Sequence, residues 1–378
     1  MWNNNVIDTW DQGTLYLYFF ILFTTYFLGA CSYKKKCAIL ASGEKQWFNV
    51  VNQGFFLILF LFLGFFSMLR DVGTDLPMYR NIFNNADLGA EYFSGQEPGY
   101  LLLNVFFYKI GFNDFCFIAL LSLATLFFVF KTIRAHSDTI DVGLAFFAFV
   151  SLYYLQSFSL IRMYLVAAIL LYCSKYLFEK RYFKYLICVI GCVFLHYSAI
   201  LMTLPLSLHY IYQEHRHLFW PTLLSLLIFS FVVVTKLSNV PIFSRYDEYL
   251  SGGALKTGFG FMQIAVNIPN LFFCWYARRI KIRAVYVDVL FSFSMSALLI
   301  GILSYKVLML GRSLVYYNII YIICVPYILY KIGRKNKQFG ALMGLFYFIY
   351  LILRFIQYMN EYILLDGLMP YKFISTYE

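Results

Sequence analysis

Charged residues are scarce in this 378-residue chain. Asp, Glu, Lys and Arg together make up 13% of it, whereas soluble domains carry about 25%. Apolar residues make up 62% of the chain and its mean hydropathy is +0.70, so we expect no soluble module. Apolar runs of about 20 residues, the length of one helical bilayer crossing, recur from end to end. The composition predicts an all-α, polytopic integral membrane protein in which residues 1–378 form a single transmembrane domain.

Several sequence signals are also missing. The start of the chain has no basic segment typical of a cleavable signal peptide. The eight cysteines show neither paired extracellular spacing nor a CxxC motif, so we expect small core residues rather than disulfides. No Walker A loop, GxGxxG, GxSxG or HExxH motif occurs. His215 and His217 lie near Glu214 in a basic loop without further ligands, so the sequence predicts no metal site and no cofactor.

The net charge of +11 comes from basic residues that cluster in short loops. Such loops remain in the cytoplasm and set the orientation of a membrane protein. Nineteen of the 30 basic residues fall in six loops: Lys34–Lys36 with Lys45, Lys131 with Arg134, Lys175 to Lys184, Arg216, Arg278 to Arg283, and Lys331 to Lys337. The charge therefore indicates orientation and not a nucleic-acid surface.

Alternation of these basic loops with less basic ones predicts about twelve crossings and places both termini outside. The crossings lie near 14–32, 52–69, 113–133, 141–156, 159–178, 183–196, 198–212, 218–237, 258–277, 285–303, 311–330 and 338–355. The apolar run from Gly99 to Gly111 is too short to cross, so we expect a re-entrant or interfacial helix on the outer face. Residues 70–98 and 239–257 form the main extracytoplasmic loops.

Ionisable residues on the outer side of this topology are functional candidates, because a charge in lipid is costly and faces protein or water. They include Arg70, Asp75, Glu97, Arg162, His196, Arg245, Asp247, Glu248, Lys306, Arg312, Glu361 and Asp366. Most have a structural alternative, and Arg245, Asp247 and Glu248 could form a solvated loop. Arg162 and Arg312 could snorkel to headgroups, His196 could be a core histidine, Asp75 could cap a turn, and Glu97 could begin the helix after Pro98.

A polar stripe lies within the segment FMQIAVNIPNLFF. Gln263, Asn267 and Asn270 share one helix face, and Pro269 should kink that helix. This face lines a cavity or bonds neighbouring helices, and the residues alone do not choose between the two.

Dispersed arginines with a histidine and carboxylates on one side describe an anion site with a base. Arginine pairs with phosphate oxygens in a bidentate fork, and it stabilises the charge that develops on a departing diphosphate. A positioned base then activates the attacking hydroxyl. Glycosyl transfer from a polyprenyl diphosphate satisfies these requirements, although the residues alone leave the reaction type open.

Six segments resemble the EpsG family, whose members are similar to Wzy-type polymerases of O-antigen, capsule and exopolysaccharide. In order they are RDVGTDLPMYRNIF, EPGYLLLNVFFYKIG, IRMYLVAAILLYCSKYLFEKRYFKYL, FLHYSAILMTLPL, YDEYL and GRSLVYY. The resemblance covers roughly Phe66 to Tyr330. It implies a GT-C-like fold in the bacterial inner membrane, with the active site facing the periplasm or exterior.

The resemblance implies a polymerase that passes a growing glycan from undecaprenyl diphosphate to a lipid-linked repeat unit. We expect three groups of site residues: Arg162, Arg312 and Arg70 for the diphosphate; His196 as the base, with Asp75 or Glu97 as second candidates; and Arg245, Tyr246, Asp247, Gln263 and Asn267 around the glycan. Partners would be the lipid-linked repeat units, membrane lipids and a chain-length regulator. A ligase, another lipid-linked-sugar transferase and a flippase are the alternatives.

Overall fold

A computed structural model describes residues 10–32, 42–88, 96–236, 261–282, 284–304 and 308–374. These residues are helical almost throughout and contain no strand, only an isolated bridge between Arg70 and Phe373, so the prediction of an all-α fold is confirmed. The α-helices are α1 Gln12–Cys31, α2 Ser42–Met68, α3 Leu76–Asn84, α4 Pro98–Lys109, α5 Asp114–His136, α6 Val142–Phe149, α7 Ile161–Cys173, α8 Lys175–Phe178, α9 Tyr182–Val193, α10 Thr203–Glu214, α11 Phe219–Lys236, α12 Phe261–Arg279, α13 Val285–Ser304, α14 Leu308–Arg312, α15 Leu314–Asn318, α16 Tyr321–Lys335 and α17 Lys337–Glu361.

Six helical segments within these ranges are long and apolar enough to cross a membrane. They are Gln12–Cys31, Asp114–His136, Ile161–Phe178, Val285–Ser304, Leu310–Lys335 and Lys337–Glu361, and each matches a predicted crossing. Four further apolar helices are shorter: Asn52–Met68, Val142–Tyr154, Tyr182–Val193 and Arg216–Phe229. The chain is therefore a membrane protein with several apolar helices.

The chain divides into two compact units. The first contains Met1–Tyr172, Phe194–Tyr197 and Ile332–Glu378, and the second contains Cys173–Val193 and Ser198–Lys331. In the first unit α1 packs against α2 and α6, and α2 packs against α5. In the second unit α13 packs against α10, α12 and α15.

The charged stretch after α2 folds onto the first unit through the short helix α3. Leu76, Tyr79, Ile82 and Phe83 recur at helical spacing and are all buried. They join Tyr100, Phe117 and Ile161 in one apolar cluster with α4, α5 and α7. The polar face of α3 carries Arg80, which pairs with Asp71 at 2.8 Å and with Asp114 at 3.5 Å. The buried face of α3 thus attaches residues 76–84 to α4, α5 and α7, although the charged composition of this stretch predicts a loop.

Two features hold the Gly73-Thr74-Asp75 turn in place. The chain after α17 returns to it: Asp71 N donates to the Lys372 carbonyl at 2.8 Å, and Thr74 N donates to that of Asp366 at 3.0 Å. Gly73 has φ +128°, and a Cβ there would lie 2.7 Å from the carbonyl oxygen of Phe158. Only glycine fits that backbone shape and that contact.

The helix that starts at Val142 is interrupted before α7. A π-turn spans Val150–Tyr154 and a 3₁₀ turn spans Gln156–Phe158. Such interruptions often lie at functional sites because they redirect the chain and free backbone groups. Here the break exposes the Phe158 carbonyl to the turn at Gly73 and begins a new helix just before Arg162.

Candidate functional site

Glu97 is the centre of the candidate site. It precedes Pro98 and has extended backbone angles (φ −69°, ψ 131°), as expected for a residue before proline. Its carboxylate does not cap α4. It instead accepts from Nη1 of Arg162 at 2.6 Å through Oε2, and Oε1 lies 2.7 Å from Nδ1 of His196. We call Glu97, Arg162 and His196 the Arg–Glu–His cluster.

The three side chains of the cluster are largely shielded from solvent. The side chains of Glu97, Arg162 and His196 are 7%, 11% and 20% exposed. The guanidinium carbon of Arg162 lies 4.7 Å from the ring centre of Tyr100 and 5.4 Å from that of Tyr79. These aromatic faces attract the cation and limit its movement.

The ionisation of Glu97 determines which nitrogen of His196 carries a proton. Burial raises the pKa of the Glu97 carboxyl, but the hydrogen bond from His196 and the charge of Arg162 outweigh burial and lower this pKa to about 2. A carboxylate can only accept hydrogen bonds, so Nδ1 of His196 donates to it. In the neutral imidazole the lone pair then lies on Nε2, which is the arrangement that a general base requires.

The EPG sequence explains how Glu97 reaches His196. Gly99 N donates to the carbonyl of Phe194 at 2.9 Å, which docks the first turn of α4 onto the segment before His196. Tyr197 N donates to Oε1 of Glu97 at 3.2 Å. The Gly99 backbone and the Glu97 carboxylate therefore hold the chain on both sides of the histidine.

Replacing Gly99 with alanine is expected to lower the stability of the protein by about 1–3 kcal/mol, as overpacking does elsewhere. The added Cβ would lie 2.7 Å from the Phe194 carbonyl oxygen and would push Glu97 away from His196. The thermal unfolding midpoint measures the effect. Gly344→Ala is the matched control, because its Cβ meets nothing within 4 Å and alanine suits a helix interior. Equal midpoints for the two variants would show that the docking contact is unimportant.

The other predicted site residues of the first unit have different surroundings. Asp75 is half-buried at the start of α3. The pKa of Tyr79 is raised mainly because its hydroxyl is buried, and the nearby charge of Asp75 contributes to this rise. Arg70 is 2% exposed, and its two Nη atoms bond to protein groups, whereas its buried Nε has no partner among the described residues. It donates to the Ser67 carbonyl, to Ser122 Oγ at 2.9 Å and to the Phe158 carbonyl at 3.3 Å, and burial lowers its pKa to about 10. These contacts make Arg70 a tether between helices.

The remaining predicted residues belong to the second unit or lie outside the described residues. Arg312 is exposed at the end of α14. Asn267 is 1% exposed, and its Oδ1 accepts from the Tyr321 hydroxyl at 2.8 Å, a bond between helices. Arg245, Tyr246, Asp247 and the side chain of Gln263 lie outside the described part of the chain. Their proposed roles stay predictions.

Sequence reasoning did not identify the aromatic and amide partners of Arg162. Gln96 Oε1 accepts from Nη1 of Arg162 at 2.7 Å, beside the Glu97 contact. Gln96 could have been identified from the sequence, because it adjoins the candidate residue Glu97. Tyr79 and Tyr100 could not be selected from sequence, because the chain contains 34 tyrosines.

These features define a membrane protein in which a buried carboxylate joins an arginine to a histidine. A family model matches residues 54–373, and the chain belongs to the EpsG family, a family of Wzy-type polysaccharide polymerase-like membrane proteins. This match extends beyond the Phe66–Tyr330 region in which the sequence shows the resemblance. It includes the returning segment after α17. No curated protein and no solved structure matches the chain.

Proposed function

We propose that the protein is a polysaccharide polymerase. It transfers a growing glycan from undecaprenyl diphosphate to the sugar of a lipid-linked repeat unit. The observation that carries this proposal is the Arg–Glu–His cluster in a chain of the EpsG family. An imidazole oriented by a carboxylate and placed beside an arginine supplies a base and a positive charge at the same place.

His196 acts in this proposal as the base. The acceptor hydroxyl attacks the anomeric carbon of the donor sugar, and its proton passes to Nε2 of His196. A new carbon–oxygen bond forms as the bond between the anomeric carbon and the diphosphate oxygen breaks. The electron pair leaves with undecaprenyl diphosphate, and water later removes the proton from His196.

Glu97 and Arg162 support this step in different ways. Glu97 fixes the tautomer of His196 and stabilises the imidazolium that forms, so it acts as a positioning residue and not as the base itself. Arg162 keeps Glu97 ionised and contributes positive charge for the departing diphosphate. The proposed reaction relies on arginine charge rather than on a metal ion. Arg70 serves the site through its tethering contacts.

We also propose the number of membrane crossings, the fold type and the side of the membrane on which the cluster lies. About twelve crossings and a GT-C-like fold would place the cluster at the extracytoplasmic face of the bacterial inner membrane. The support is the clustering of basic residues in six loops that the sequence predicts to be cytoplasmic, and the short, 12-residue helix α4 that follows Glu97. A chain-length regulator would be a separate partner.

The proposal predicts a ladder of products from purified protein and one synthetic repeat unit on an isoprenoid diphosphate. A polymerase adds units repeatedly, because each product is again a donor. Gel separation of the labelled glycans measures the ladder, and the protein denatured by heat is the control. A single shifted band would indicate a ligase. No new glycosidic bond would contradict an enzymatic function and favour a flippase.

A further inference from the structure

Helix α17 contains one charged residue between its ends, Arg354. The residues from Phe339 to Leu353 are uncharged and largely apolar, and the helix is a candidate membrane span. Arg354 lies about 25 Å along the helix axis from Lys337. Since the hydrocarbon core is about 30 Å thick, Arg354 lies near the far edge of that core, close to the level of lipid phosphates.

Among the residues that the structure describes, no carboxylate forms an ion pair with Arg354. It is half-buried, and its Nη1 donates to Oε1 of Gln357 at 2.9 Å. Within the described residues this neutral amide is its hydrogen-bond partner, and its buried Nε has none. Gln357 Nε2 donates to Glu361 Oε2 at 3.1 Å, so the amide stands between the two charges. An anion at this depth would compensate the charge of Arg354 at the edge of the hydrocarbon core.

The neighbouring groups form a polar patch on the first unit. Tyr350 and Tyr362 lie close enough to interact electrostatically with Arg354. The carboxylate of Asp366 is engaged by the Tyr358 hydroxyl at 2.5 Å. A narrow crevice without room for a water molecule lies beside this patch, lined by Ser151, Gln156, Phe355 and Tyr358, among others. Hydroxyl and amide groups near a cation suit an anionic headgroup.

We propose that Arg354 and Gln357 form a second phosphate subsite for a lipid-borne phosphate. The phosphate belongs to an isoprenoid diphosphate or to a phospholipid headgroup, and both present the same oxygens at this depth. The inference rests on the proposed function in one respect: a polymerase holds two lipid-linked substrates at once. Arg162 would serve one phosphate group and Arg354 the other.

Native mass spectrometry of the detergent-purified protein with farnesyl diphosphate tests the subsite. We expect two bound molecules on the wild type and one on Arg354→Met, with binding to the lost site at least tenfold weaker. Lys337→Gln is the matched control, because it removes an exposed charge at the other end of the same helix and should leave two. A parallel arm uses phosphatidylglycerol and shows which lipid the subsite retains.

The outcomes separate the subsite from other roles of Arg354. Removing an uncompensated charge from an apolar helix should preserve or raise the thermal midpoint, whereas loss of a structural contact would lower it. Arg354→Gln, which keeps polarity, should lose the same molecule. Unchanged binding of both lipids to both variants overturns the subsite. If Arg162→Gln leaves binding intact while Arg354→Met weakens it, the subsite stands and the proposed role of Arg162 is wrong.

Discussion

Replacing His196 with glutamine is expected to slow polymer formation by about 10²- to 10⁴-fold, the usual contribution of a general base. Glutamine keeps a polar side chain that can donate to Glu97, but it has no basic nitrogen at the position of Nε2. The Glu97 carboxylate has a pKa of about 2 and is therefore a weak base. It does not replace His196 while Arg162 holds it. The initial rate of ladder formation measures the effect.

His217→Gln is the matched control for this experiment. His217 is exposed and distant in sequence from the cluster, so its replacement should leave the rate unchanged. Thermal midpoints of both variants show whether the protein is folded. A His196→Gln protein that polymerises within twofold of the wild-type rate would remove His196 from the mechanism.

Replacing Glu97 with alanine is expected to destabilise the protein by about 3–5 kcal/mol, the effect of removing one partner of a buried ion pair. The variant leaves Arg162, which is 11% exposed, without its carboxylate partner. It also removes the acceptor for His196 Nδ1 and Tyr197 N. Thermal unfolding measures the loss, and ladder formation should stop because the imidazole is no longer oriented.

The charge and the shape of Glu97 can be separated by further variants. Glu97→Gln combined with Arg162→Gln should recover part of the stability, because no buried charge remains unpaired. Glu361→Ala is the control. This exposed carboxylate accepts from the amide of Gln357 and forms no ion pair among the described residues, so the expected change is at most about 1 kcal/mol. Equal losses for Glu97→Ala and Glu361→Ala would contradict a central role for the cluster.

The pH dependence of stability provides a second readout for Glu97. Its folded-state pKa of about 2 lies below the ordinary glutamate pKa, so ionisation of Glu97 stabilises the folded protein. This contribution is complete above about pH 4.3 and is lost as the pH falls towards 2. The stability advantage of the wild type over Glu97→Gln should therefore be constant at neutral pH and narrow below about pH 4.

The membrane-spanning helices were predictable because lipid imposes one rule on every crossing segment. A run that satisfies its own backbone hydrogen bonds and exposes apolar side chains is recognisable without knowing its neighbours. Six predicted crossings correspond to helices that meet this rule in length and composition. The predicted crossings 141–156 and 159–178 leave a boundary at 157–158, but the π-turn at Val150–Tyr154 was not predicted. Contacts of this region with Arg70, Gly73 and Thr74 come from distant parts of the chain.

The residue types of the candidate site were also visible in the sequence, but their partners were not. Glu97 was expected to be a base or the start of a helix, and the structure shows that its carboxylate accepts from Arg162 and lies within hydrogen-bonding distance of His196. In the sequence Arg70 and Arg162 are indistinguishable, because both are single arginines predicted on the outer side of the membrane. One is enclosed by carbonyl and hydroxyl groups, and the other meets a carboxylate and two aromatic rings.

Sequence alone determined that this protein is an all-helical membrane protein of the EpsG family with arginines, a histidine and carboxylates between its apolar segments. Tertiary structure alone decided that Glu97 contacts Arg162 and His196, which are 65 and 99 residues away in the sequence. The physical reason is that hydropathy is a property of each segment, whereas the charge state and direction of a side chain depend on the groups packed against it. Those groups come from distant parts of the chain, and only folding brings them together.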